Sequence, residues 1–148
     1  MAKISKEAKA EMKRKLDEII LNIFLEEGWH HVTYGNVAAA ADIRRSTVQG
    51  YYTELGEALR GKIFPIFLSH LDLSSHKSLR TSWAKALDDK QFRYILQMLI
   101  ANAASEAPNE MSKQGMEKLF EMVGVKIDGA EAVLHQLLGE TVIRLLER

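Results

Sequence analysis

The chain has 148 residues, of which 47% are hydrophobic and 27% charged, and its formal net charge at pH 7 is zero. These values are typical of a soluble globular protein, and the balanced charge means that any affinity for nucleic acid or membrane must come from a local patch. There is no cysteine, which excludes disulfides, thiol chemistry and cysteine–zinc sites.

No apolar run approaches the roughly 20 residues that span a bilayer, and no signal-type apolar segment directly follows the lysine-rich N-terminus. We therefore expect a cytoplasmic protein. No stretch alternates apolar and polar residues over the length of a strand. The three- and four-residue spacing of apolar side chains instead predicts an all-α protein.

Two helices are predicted before residue 42. Helix 1 covers about residues 5–27, with Ser5 as its N-cap and Gly28 at its left-handed C-terminal position. Thr33 can cap a short helix 2 that extends to about Ala41.

A helix-turn-helix motif is predicted in the stretch AAAADIRRSTVQGYY, residues 38–52. The small alanines let the second helix cross the first closely, Asp42 tolerates left-handed geometry in the turn, and Ile43 is the buried plug. Helix 3 then begins at Asp42 or Arg44 and ends near Tyr52. In such motifs the N-terminal end of the second helix enters the major groove of DNA. The side chains presented there are Arg44, Arg45, Ser46, Thr47 and Gln49.

These residue types suit the recognition of DNA. Arginine can pair bidentately with guanine, glutamine can pair with adenine, and threonine can contact a thymine methyl group. Gly50 leaves space for the backbone to approach a phosphate. Either Tyr51 or Tyr52 can donate its hydroxyl to a phosphate, and we expect one of the pair to be buried and the other to lie at the surface.

Cations are also concentrated at the N-terminus, where they form either a solvated face or an arm that follows phosphates. This segment contains six cations and two carboxylates, Glu7 and Glu11. The six are Lys3, Lys6, Lys9, Lys13, Arg14 and Lys15.

Five further helices are predicted after the motif. Thr53 can cap helix 4, in which Pro65 should produce a kink or a break. Apolar spacing predicts helix 5 from Leu79, Trp83 and Leu87, and helix 7 from Met116, Leu119, Phe120 and Val123. Asp88 or Asp89 can cap helix 6, and Asp128 with Glu131 fits a capping box at the start of helix 8.

The segment FLEEGWHHVTYGNVAAAADIRRSTVQGYYTELGEAL, residues 24–59, resembles the DNA-binding domain of TetR-type transcriptional repressors. The positions that match the family's pattern, in order and without a gap, are Phe24, Gly28, Thr33, Val37, Ala38, Ala40, Ala41, Ile43, Thr47, Tyr51 and Tyr52. The resemblance implies that Thr33 caps helix 2 and contacts phosphate, and that Tyr34 faces the DNA backbone. The family usually has glycine, serine, glycine and tyrosine where this sequence has Asp42, Arg44, Ser46 and Gln49.

The resemblance implies two domains: a helix-turn-helix DNA-binding domain over residues 1–54, and a small helical effector-binding and dimerisation domain over residues 55–148. In the second domain, large side chains either line a cavity for a small hydrophobic effector or form an ordinary core. The candidates are Phe67, Trp83, Phe92, Tyr94 and Met98.

Helix 8 is apolar over so wide an arc that it must bury two sides. One side can pack on its own chain, and the other needs a partner unless the helix is fully buried at the centre of the domain. Pairing of helices 7 and 8 with their symmetry mates would form a four-helix dimer interface, as in the family. The candidate interface residues are Leu119, Val123, Leu134, Leu137, Leu138, Val142 and Leu145.

The resemblance as a whole implies a TetR-type repressor that binds a palindromic operator in double-stranded DNA as a homodimer and is released by a small-molecule effector. Two alternatives stay open. One is a DNA-binding regulator without a small-molecule site, gated by a protein partner. The other is a helical interaction module that has lost DNA binding. The sequence has no metal-ligand spacing and no catalytic constellation, so we expect neither an enzyme nor a cofactor.

Overall fold

The computed structural model describes residues 5–148, and every regular element in that range is helical. The predicted all-α class is therefore confirmed. The chain forms two compact units that divide between Ile63 and Phe64. The functional division expected after residue 54 stays a prediction. The elements are α1 (Lys6–Glu27), α2 (Tyr34–Ala41), α3 (Arg45–Tyr51), α4 (Ile63–Ser69), α5 (His76–Ala86), α6 (Lys90–Ala103), α7 (Glu110–Lys126) and α8 (Ala130–Leu146), with 3-10 turns at Trp29–His31 and Leu55–Leu59.

The first two helices begin and end where local chemistry predicts. Ser5 caps α1, its hydroxyl oxygen accepting a hydrogen bond from the Ala8 amide at 3.1 Å, and Gly28 follows the helix at a positive φ of 97°. Thr33 caps α2 in the same way, accepting from the Asn36 amide at 3.1 Å. Both predicted N-caps are confirmed.

The turn between α2 and α3 depends on one left-handed residue. Asp42 has φ 55° and ψ 47°, and it is the non-glycine residue with positive φ among residues 5–148. Its backbone N–H closes the end of α2 by donating to the carbonyl of Ala39 at 3.3 Å. Of the two predicted starts for α3, the structure has Arg44 as the N-cap. The chain therefore has the predicted order of helix, tight turn and helix.

The prediction that helix 4 begins after Thr53 and is kinked or broken at Pro65 is wrong. The chain instead forms the 3-10 turn Leu55–Leu59, which ends near Gly61 at φ 76°, and α4 begins only at Ile63. Pro65 produces no kink, since it lies in the first turn of α4, where its missing N–H has no intrahelical partner to lose. The positive φ of Gly61 is what separates the two segments.

Packing in the second unit centres on three aromatic rings. Phe67 stacks on Phe92 with ring centroids 4.5 Å apart, and Trp83 packs edge-on against both rings. The indole N–H of Trp83 donates to the hydroxyl of Thr141 at 2.8 Å, and that hydroxyl donates to the Leu137 carbonyl at 2.7 Å. This buried chain of hydrogen bonds joins α5 to α8.

Side-chain caps begin three helices of the second unit. Ser75 caps α5, Asp89 caps α6 as one of the two predicted candidates, and Asn109 caps α7. The capping box predicted for α8 is wrong: the N-cap position is occupied by Gly129, at φ 68°, which has no side chain that could cap. Asp128 therefore lies one residue too early to serve.

Candidate nucleic-acid interface

The side chains of α3 point outward almost without exception. Of the seven described residues of α3, Val48 is fully buried and Tyr51 half-buried. The exposed residues at and after the turn are Arg44, Arg45, Ser46, Thr47, Gln49 and Gly50. The structure thus brings together, on α3 and its N-cap, six of the ten residues predicted to contact DNA.

The outer side of α3 is open around Gly50. A Cβ placed on Gly50 would have nothing within 4 Å, so a larger residue would also fit there within the chain. Val48 is 0% exposed and anchors the opposite side of the helix in the first unit. The two guanidinium groups of Arg44 and Arg45 then stand at the exposed N-terminal end of α3, where the positive end of the helix also lies.

The N-terminal cations divide into two groups. Lys6, Lys9, Arg14 and Lys15 are exposed on α1. Lys13 differs, because its ammonium lies 3.2 Å from the Asp17 carboxylate and 3.8 Å from the centre of a tyrosine ring. Lys3, the sixth cation of the predicted arm, lies outside the described residues.

Two residues expected at the DNA backbone have partners within the first unit. Thr33 uses its hydroxyl oxygen to cap α2, although its side chain is exposed. The hydroxyl of Tyr34 donates to two carbonyls, those of Tyr52 at 3.2 Å and Thr53 at 3.1 Å. The proton that Tyr34 would offer a phosphate is therefore shared between the carbonyls that follow α3.

The tyrosine pair divides into one buried and one half-exposed residue. Tyr52 is 2% exposed, and its hydroxyl donates to the Asp17 carboxylate, so it does not point toward a phosphate. Burial, together with this hydrogen bond, raises the pKa of the Tyr52 hydroxyl above its usual range. Tyr51 is half-buried and is the member of the pair that remains available at the surface.

The residues predicted to line an effector cavity lie mainly in the core. Phe67, Trp83 and Phe92 are at most 4% exposed and fill the space between them, while Tyr94 and Met98 are half-buried. An open groove of about 520 Å³ lies elsewhere in the second unit, between α6 and α7. Its largely apolar wall is formed by Leu99, Asn102, Ala103, Pro108, Ser112, Lys113, Met116, Glu117 and Phe120. Apolar spacing alone did not distinguish the core rings from this groove.

Helices α7 and α8 each bury one side and expose another. Four predicted dimer residues, namely Leu119, Val123, Leu134 and Leu137, are at most 5% exposed because they face their own unit. Leu138 and Leu145 are half-buried, and Val142 is exposed. The large apolar residues that are exposed are Met122, Val125, Val142, Ile143 and Leu146, and we call this set the α7/α8 apolar surface. Of this set, Val142 was a predicted interface residue, whereas Ile143 and Leu146 were not. Met122 and Val125 were missed because they lie off the main apolar stripe of α7.

The fold defines a class of protein, an all-α chain whose first unit contains two short helices joined by a tight turn. The family follows from the second unit: the family model described as "Tetracycline repressor LuxT C-terminal domain" matches residues 60–145. Because this match covers more than half of the chain, the chain belongs to this TetR-like family of regulators. No curated protein matches the sequence.

Two further properties concern the described residues alone. Between residues 5 and 148 no helix is both long enough and apolar enough to cross a bilayer. In the same range, histidine and carboxylate side chains form no group of three or more that could hold a metal ion.

Proposed function

We propose that this chain is a sequence-specific transcriptional regulator that inserts α3 into the major groove of a palindromic DNA operator. The observation that carries the proposal is that every residue of Arg44–Gly50 is exposed except Val48, which is buried and packs the helix against the first unit. Membership of a TetR-like regulator family supports it independently, since the match lies almost wholly in the other unit.

A dimer is part of the proposal. One helix-turn-helix contacts too few base pairs to select a genomic site, whereas two copies related by a two-fold axis read both halves of an inverted repeat. The exposed residues of the α7/α8 apolar surface are the ones that we propose for the two-fold contact of such a dimer. The two α3 helices would then lie about 34–36 Å apart, or a small multiple of that distance.

The test of DNA recognition begins with selection from random double-stranded oligonucleotides, using the full chain. We expect an enriched inverted repeat, and we expect the double substitution Arg44→Ala with Arg45→Ala to abolish its mobility shift. The matched control removes two exposed arginines elsewhere, Arg60→Ala with Arg144→Ala, and should leave the shift intact. Equal binding by both variants would remove the assignment to α3.

We also propose that a small molecule regulates DNA binding and that it binds in the groove between α6 and α7. Its volume of about 520 Å³ lies within the usual range for ligand sites. The neutral apolar fluorophore N-phenyl-1-naphthylamine should brighten with the wild-type chain and not with Ala103→Trp, which narrows the groove.

A second candidate has a specific observation in its favour. The closed packing of Phe67, Trp83 and Phe92 is what a regulator without a small-molecule site would have, with a protein partner as its gate. Absence of fluorophore binding, combined with retained operator binding, would favour this second candidate over effector release.

A further inference from the structure

The helix proposed to read DNA has little of its own to hold it in place. It is seven residues long, and an isolated helix of that length is unstable in water. Within the described residues, the Arg44 side chain makes no capping hydrogen bond, and Val48 supplies the fully buried contact of α3. The turn before α3 and the buried Val48 hold the start and the middle of the helix against α2. The contacts at its C-terminal end complete the set that fixes the direction in which Arg44 and Arg45 point.

One tyrosine ties that end to α2. Tyr34 is the first residue of α2, and its hydroxyl reaches the carbonyls of Tyr52 and Thr53, at 3.2 and 3.1 Å. These are the first two carbonyls after α3, where the chain has become extended. The single hydroxyl proton is shared between them, so this bond fixes the point at which α3 ends.

The other tyrosine ties the same end to α1. The Tyr52 hydroxyl donates to the Asp17 carboxylate and also lies 3.4 Å from the Lys13 carbonyl. The Lys13 ammonium completes the cluster, 3.2 Å from Asp17 and 3.8 Å from the centre of the Tyr52 ring. Tyr52 is 2% exposed, whereas the side chains of Lys13 and Asp17 are 38% and 22% exposed. The bond from the Tyr52 hydroxyl to the carboxylate is strengthened by the charge of its acceptor.

We propose that Tyr34 and Tyr52 are positioning residues for DNA recognition: their two hydroxyls set the orientation of α3 against α2 and α1, and so determine how well the chain distinguishes its operator from other DNA. Neither hydroxyl contacts DNA in this role. The proposal rests on the proposed function, because it assigns to α3 the reading of bases.

The physical basis is the difference between contacts to bases and contacts to phosphates. A bidentate contact to a base edge fails after a small rotation of the helix, whereas attraction between a cation and the phosphate backbone tolerates it. Loss of a hydroxyl that orients α3 should therefore weaken operator binding while leaving binding to random DNA almost unchanged.

The experiment compares Tyr34→Phe and Tyr52→Phe with wild type, measuring Kd for the selected operator and for random duplex over a range of salt concentrations. Each variant should lower the operator-to-random ratio by about three- to ten-fold for each half-site, the loss expected for one hydrogen bond. The slope of log K against log salt should not change, since no phosphate contact is removed. A merely structural role would instead lower both affinities together, in proportion to the folded fraction.

Two matched variants sharpen the comparison. Tyr94→Phe, in the second unit, should change neither affinity. Asp17→Asn keeps an oxygen that can accept from Tyr52, so it should retain more of the operator-to-random ratio than Asp17→Ala. An unchanged ratio in folded Tyr34→Phe and Tyr52→Phe overturns the proposal, as does a salt slope lowered by about one, which would place these hydroxyls on phosphates.

Hydrogen exchange separates this proposal from the proposed function. If the wild-type chain selects no sequence, the proposed function fails, and the orientation of α3 is judged from its amide exchange alone. Both Phe variants should raise the hydrogen-exchange rates of the backbone amides of Val48–Tyr52 at least about three-fold and leave those of α7 and α8 unchanged. Unchanged exchange in α3 would reject the positioning role in that case too.

Discussion

Lysines placed on the α7/α8 apolar surface should convert a dimer into monomers. Val125 and Leu146 are each 81% exposed, Ile143 is 58% exposed, and Met122 and Val142 are 40% exposed. Together these exposures equal about three whole apolar side chains per protomer, and burying them contributes on the order of 5–9 kcal/mol for each copy. Two copies contribute on the order of 10–18 kcal/mol. This is larger than most values in the range of roughly 4–15 kcal/mol estimated for the cost of association.

The perturbation is Val125→Lys with Ile143→Lys. A two-fold axis introduces every substitution twice, so four ammonium groups enter an otherwise apolar contact. Each unpaired charge costs several kcal/mol to desolvate, and we therefore expect the dimer Kd to rise at least about a thousand-fold. Sedimentation equilibrium across nanomolar to micromolar concentrations measures this change directly.

The control adds the same charge at an exposed position of α5, Thr81→Lys, and should leave the dimer intact. Circular dichroism should show equal helicity in both variants, because the substituted side chains do not pack in the monomer. If the double variant remains a dimer with wild-type affinity, the α7/α8 apolar surface is not the interface, and burial of its side chains does not drive dimerisation.

Three other predictions concern stability. Thr141→Val should destabilise the fold by about 1–3 kcal/mol in urea unfolding, since it leaves the buried indole N–H of Trp83 without its acceptor, and Thr141→Ser should be nearly neutral. The pKa of Tyr52 is raised in the folded state, so the contribution of its hydroxyl to the free energy of unfolding is complete below about pH 10 and declines as the pH rises further. Wild type should therefore lose stability between about pH 10 and 12 more steeply than Tyr52→Phe. Gly129→Ala should cost about 1 kcal/mol, measured by thermal unfolding, since φ is 68° there.

Short-range signals predicted most of the helices and failed where two signals competed. Ser5, Thr33 and Asp89 each act on an amide within three residues, so the sequence alone is enough to predict their caps. Pro65 was interpreted as a kink in a long helix, whereas the positive φ of Gly61 breaks the chain earlier and leaves the proline in a first turn. Local rules do not rank a glycine against a proline four residues away.

The candidate site shows the same division between local and long-range information. The outward side of α3 could be predicted because Val48 is its one long aliphatic residue. The hydroxyl contacts of Tyr34 and Tyr52 could not, since their partners lie 18 to 39 positions away along the chain. On α7 and α8, spacing identified apolar residues without telling which arc faces their own unit, and four predicted dimer residues proved to be buried.

The two proposals make separable demands on the same regulator. If both hold, affinity for a palindrome depends on pairing through α7 and α8, whereas preference among base sequences depends on how α2 and α1 hold α3. Val125→Lys with Ile143→Lys should therefore reduce operator affinity while keeping the base preference of each half-site, whereas Tyr34→Phe should reduce operator affinity by weakening that preference and leave the dimer intact. Because the two sets of residues share no partners, their effects on the free energy of operator binding should add within about 0.5 kcal/mol when combined. A larger coupling would mean that dimerisation itself reorients α3, and the positioning of that helix would then have to be shared between the two units.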